Sequence, residues 1–176
     1  SVVQANDGGF IMAGFSESGD ADISLAKGSY DYWVVKVDGK GKLVWEKSFG
    51  GSGIEVAYDI EKTDDGAYVV TGHTFSDDND ISEQHGESDV WLIKIDDGGE
   101  MLWEQTYGGS GFDTAQSVSL TADGGFLISG NSKSTDLANS KNAGENDMWI
   151  LRTERVAHGN LYPVASLMSE SFMTCN

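Results

Sequence analysis

The chain is 176 residues long, and 11 basic against 29 acidic residues give a formal net charge of -18, which repels nucleic-acid phosphates and anionic lipid headgroups and removes both from the expected partners. Twenty-three glycines, one proline and 10% aromatic residues describe many short strands joined by tight turns. A single cysteine, Cys175, leaves no intrachain disulfide or thiolate metal cluster to build, and no apolar run reaches the ~20 residues that carry a helix across a bilayer, so no membrane insertion is expected.

Along the chain the dominant signal is a repeat. Trp33, Trp91 and Trp149 stand 58 residues apart, with no gap needed. The same offset relates Phe10, Tyr68 and Phe126; Gly14, Gly72 and Gly130; Asp31, Asp89 and Asp147; and Lys36, Lys94 and Arg152. Trp45 pairs with Trp103, and the Gly-Gly-Ser-Gly stretch at 50–53 with that at 108–111. The first copy, 1–50, starts in mid-strand, because Ser1 aligns with Asp59, and reads as a clipped start.

The second copy, 51–108, is complete. Strands over 54–63 and 67–74 flank Asp64-Asp65-Gly66, and strands over 89–96 and 100–107 flank Asp97-Gly98-Gly99, which predicts two hairpins separated by a polar loop. Alternation sends Trp91, Ile93 and Ile95 to one face and Val90, Leu92 and Lys94 to the other, so this sheet is expected to be covered on both sides. Gly-Gly-Ser-Gly is expected to cross from one unit to the next, its glycines supplying positive φ. The third copy, 109–154, is followed by a tail, 155–176, that holds the only Pro, the only Cys and two of the five Met; Gly159–Tyr162 would supply a fourth strand to that copy.

The composite pattern, GGSG-x-[DE]-x-A followed by T-x-DGG-[FY], D-x-W-[IVL]-[IVL]-K-[IV]-D and G-x-[LM]-x-W-E, resembles the β-propeller repeats of bacterial secreted and cell-surface proteins across residues 1–154 and best over 50–107. The resemblance implies an all-β, β-propeller-like array of three four-stranded antiparallel blades in an extracellular or cell-surface setting, with no catalytic set to carry over. Propellers have 4 to 8 blades, and three leave two faces open. Closure is therefore expected between two chains, as a six-bladed homodimer, or within a longer array.

Three groups of residues are candidates for chemistry. The long loops read SGDADIS at 18–24, SDDNDIS at 76–82 and STDLANS at 134–140, each ahead of an aligned Asp. Asp20 and Asp22 with Asp31, and Asp78 and Asp80 with Asp89, would offer carboxylate oxygens to a hard cation such as Ca²⁺, or else serve as turn formers. Trp33, Trp91 and Trp149 beside Asp31, Asp89 and Asp147 suit a glycan, whose ring packs on indole while its hydroxyls meet acceptors; packing between blades and turn or interblade bonds are the structural alternatives. His73, His85 and His158 lack counterparts in the other copies, and His73, Glu83 and His85 are the only places where a propeller-type glycan hydrolase or lyase would find repeat-breaking acids and bases. No GxSxG elbow, HExxH or phosphate-loop lysine is present. The functional expectation is a non-catalytic binding module for protein or glycan, Ca²⁺-stabilised in one form; a structural repeat fragment is the third reading.

Overall fold

The computed structural model describes residues 1–17, 26–137, 142 and 145–153, and among them the protein is all-β, with three antiparallel sheets. Blade 1 consists of β1 (Val2–Gln4), β2 (Phe10–Ser16), β3 (Asp31–Val37) and β4 (Leu43–Phe49), hydrogen-bonded in that order. Blade 2 repeats it with β5 (Glu55–Lys62), β6 (Tyr68–Thr74), β7 (Asp89–Ile95) and β8 (Met101–Tyr107). Blade 3 contributes β9 (Asp113–Leu120), β10 (Phe126–Ser132) and β11 (Asp147–Thr153); the segment expected to add its fourth strand lies outside the described residues, as does most of the long loop of blade 1.

The hairpins close where the sequence places Gly in the left-handed region: Gly8, Gly66 and Gly124 in one turn of each blade, Gly41 and Gly99 in the other, all with φ between 79° and 85°. Bulges recur at the period as well. Tyr58 and Gln116 are skipped in the inner ladders, Val44 and Leu102 in the outer ones.

The alternation along β7 becomes two cores. Trp91, Ile93 and Ile95 are fully buried against Ile11, Tyr32 and Val34 of blade 1. Val90 and Leu92, on the opposite face, are buried against Val118, Trp149 and Leu151 of blade 3. The Tyr32 and Trp91 rings lie 4.6 Å apart, and the Tyr32 hydroxyl donates to the Trp91 carbonyl at 3.0 Å. Burying side chains of this size contributes about 2 kcal/mol each, so the sheets are held mainly by their faces.

The linkers differ from expectation. None of the Gly-Gly-Ser-Gly glycines has positive φ; they are glycine because other groups occupy the space. A Cβ at Gly50 would lie 2.3 Å from Asp31 Oδ1, one at Gly51 2.2 Å from Ser76 Cβ, and one at Gly108 2.0 Å from Asp89 Oδ1. These are close-approach positions, where a side chain and a backbone share the room a methyl would need.

Two faces of the stack are left uncovered by the other described residues. On blade 1 the outer face presents Val2, Phe10, Met12 and Leu43 around Trp33; on blade 3 it presents Leu127, Met148 and Ile150. Met148, 70% exposed, is the extreme case.

Candidate functional site at the loop end

Linkers and long loops gather at one end of the blades, where β5 and β9 begin and β6 and β10 end. Each linker is clasped by two carboxylates and a hydroxyl taken from the blade that follows it. Gly51 N–H donates to Glu55 Oε2 (2.8 Å), Ser52 N–H to Asp78 Oδ1 (2.7 Å) and Gly53 N–H to Ser76 Oγ (2.8 Å). One period on, Gly109 donates to Asp113 Oδ2, Ser110 to Asp136 Oδ1 and Gly111 to Ser134 Oγ, each at 2.8 Å. Successive N–H groups aimed at oxygen make this an anion-holding stretch of backbone, filled by the protein's own acids.

Glu55 and Asp113 are the centres of these clasps and are fully buried. Thr74 and Ser76 hydroxyls donate to Glu55 Oε1 at 2.8 and 2.7 Å; the Ser132 hydroxyl donates to Asp113 Oδ1, and that of Ser134 to Asp113 Oδ2 at 2.6 Å. Beside them sit Asp31 and Asp89, 2% and 0% exposed, which accept the backbone N–H groups of Lys27 and His85. Burial pushes the Asp89 carboxyl above the usual carboxylate range against the pull of that His85 N–H, and the negative charge of Asp113 adds to the rise. Sequence reasoning missed Glu55, Asp113, Ser76 and Ser134 as a unit, although all four stand at the repeat offset.

The predicted residues fall as follows. Asp78 and Asp80 face the linker, Asp80 Oδ2 accepting from Gly50 N–H at 3.0 Å and pairing with Lys27. Asp20 and Asp22 lie outside the described residues. Among the described residues no group of three or more His, Cys, Asp or Glu side chains is placed to hold a metal ion. Trp91 and Trp149 are buried between blades, whereas Trp33 stands on the uncovered face of blade 1; the Trp33 and Trp91 indole N–H groups donate to Glu46 and Glu104 at 3.1 and 3.0 Å. Asp147 begins β11 and is partly exposed. Lys94 and Arg152 pair with the hairpin acids of their own blades, Asp65 and Asp123, and Lys36 bridges Asp7 of its own blade and Asp97 of the next at 3.1 and 2.7 Å.

The histidines divide. His85 contacts Asp89 Oδ2 at 3.3 Å and Glu83 Oε1 at 3.8 Å with about a third of its side chain exposed. His73 is buried among the rings of Tyr58, Phe75 and Phe112, and burial lowers its pKa to about 4, so near neutral pH the ring is unprotonated and only weakly basic. On blade 3 a cleft of about 430 Å³ opens between Phe112, Thr114, Gln116, Asn131, Lys133 and Asn146. Lys133 Nζ lies 5.8 Å from the centre of the Phe112 ring. Amides, an ammonium and an aromatic ring can hold a ligand by hydrogen bonds and cation–π contact. No protein-family model matches the chain, and a search of curated proteins finds no match.

Proposed function

We propose that the chain is a non-catalytic interaction module of the β-propeller kind, acting outside the cell or at its surface, whose ring is completed by a second copy. The observation that carries this reading is the match between the uncovered faces and the covered ones. One period after Phe10, Met12, Trp33, Val35 and Leu43 stand Tyr68, Val70, Trp91, Ile93 and Met101, all packed in the core between blades 1 and 2. One period before Leu127, Met148 and Ile150 stand Val69, Val90 and Leu92, all packed in the core between blades 2 and 3.

The outer face of blade 3 is thus of the kind that receives a following blade, and that of blade 1 of the kind that is received. Two copies joined head to tail at both faces make six blades with twofold symmetry, within the range that closes. Leaving such faces wet costs about 25 cal/mol per Å² of apolar area, which favours closure. Two chains at -18 each repel one another, so association strengthens as salt screens that charge. The loop end of the closed ring is where a protein or glycan partner is held.

Light scattering tests this directly. The expected result is twice the 18.9 kDa chain mass at moderate salt, reduced to the chain mass by Met148→Glu, which puts a charge on an already exposed position. A wild-type mass of one chain across the salt range would overturn the reading.

A further inference from the structure

The cleft on blade 3 has two filled counterparts. Its six lining residues stand one period after Ile54, Val56, Tyr58, His73, Phe75 and Ser88, and of these blade 2 sets His73, Phe75 and Ser88 against Phe112. In that filled seat the Phe112 ring lies 5.7 Å from the rings of His73 and Phe75. Its backbone forms a parallel bridge with Ser88: Asp113 N–H donates to the Ser88 carbonyl at 2.7 Å, and the Gly111 carbonyl accepts from Glu87 and Ser88 N–H at 3.0 and 3.3 Å. Blade 1 holds Ile54 in the same way, through a bridge to Tyr30, with Glu55 N–H donating to the Tyr30 carbonyl at 2.8 Å and Ser29 N–H to the Gly53 carbonyl at 2.9 Å.

We infer that the blade 3 cleft is a peptide-binding seat whose occupant is an extended Gly-aromatic segment of the type found at residues 108–113. Glu145 and Asn146 occupy the positions of Glu87 and Ser88, so their backbone takes the three bridging hydrogen bonds. The side-chain chemistry selects the anchor. Asn131 and Lys133 replace His73 and Phe75, and a ring seated as Phe112 is seated lies within the roughly 6 Å at which an ammonium in place of Phe75 attracts an aromatic face. The seat therefore favours an aromatic anchor over an aliphatic one, unlike blade 1, which holds Ile54. The occupant is the linker segment of a further blade of this repeat type, seated as residues 108–113 are seated on blade 2.

The inference stands whether or not the ring closes, so the test uses a Leu127→Glu protein, charged on the same face but away from the cleft, as well as the wild type. The probe is a synthetic peptide of residues 108–115, Gly-Gly-Ser-Gly-Phe-Asp-Thr-Ala, titrated into ¹⁵N-labelled protein. Saturable shifts of the Lys133, Glu145 and Asn146 amides are expected, with Phe→Ala in the peptide weakening binding at least about tenfold and Phe→Leu less. Lys133→Gln in the protein should erase the preference for Phe over Leu. Absence of shifts at millimolar peptide, shifts scattered over other blades, or equal binding of the Ala peptide would overturn the proposal.

Discussion

His73 couples the junction between blades 2 and 3 to pH. The residue is 6% exposed, its ring lies 5.5 Å from the centre of Phe75 and 5.7 Å from those of Tyr58 and Phe112, and Nδ1 lies 3.3 Å from Thr114 Oγ1. Burial holds its pKa at about 4 instead of 6.5. The unfolded chain binds the proton first, so the stability conferred by the neutral ring is complete above pH 6.5 and is lost as pH falls from there to about 4. At about pH 5 roughly 1.5 units of that window have been crossed, and at about 1.36 kcal/mol per unit the loss is about 2 kcal/mol. His73→Phe keeps an aromatic ring in the seat and removes the titration, giving up about 1 kcal/mol with the Thr114 contact. Urea unfolding of both proteins near neutral pH and at about pH 5 isolates this residue, because every other carboxylate and histidine is common to the pair. The wild type should lose about 2 kcal/mol more than the variant on acidification. Parallel losses in the two proteins would refute the reasoning.

The repeat allows a matched comparison at Gly14, Gly72 and Gly130. A Cβ at Gly72 or Gly130 would stand 1.9 Å from the Val56 carbonyl oxygen or 1.8 Å from that of Thr114, whereas nothing lies within 4 Å of one at Gly14. Ala at either of the first two should cost about 3 kcal/mol and at Gly14 no more than about 0.5 kcal/mol, read by thermal unfolding. Ser134→Ala strands the Gly111 N–H and removes a donor from the buried Asp113, so it should cost about 2 kcal/mol by the same measurement.

Much of this architecture was legible in the sequence because a period reports on every position at once. Trp91 against Val90 and Leu92 named two faces, and a strand with two apolar faces needs two neighbours. The clasps were harder to read. An acid two residues past Gly-Gly-Ser-Gly looks like loop charge until the hydroxyls that satisfy it are known, and for Glu55 these come from Thr74 and Ser76, about twenty residues on. Asp78 and Asp80 suggested cation ligands for the same reason, since spacing along a loop does not disclose that linker N–H groups will face them. The linker glycines suggested turns, but a crowded backbone calls for glycine as strongly as a positive φ does, and only the neighbours tell which applies.

The two interblade junctions are built from the same positions, down to the clasp distances, and that makes the 58-residue unit a cassette. If residues 51–108 were excised, the face of blade 1 that carries Ile11, Tyr32 and Val34 would meet the face of blade 3 that carries Ile128, Trp149 and Leu151, each still facing its own class of partner. The cut would fall between Gly50 and Gly109, which reconstitutes a Gly-Gly-Ser-Gly linker followed by an acid. Length in such a protein can change by whole blades without a new interface having to arise, and diversity is left to the residues that differ at one repeat position, as His73, Asn131 and Phe15 do.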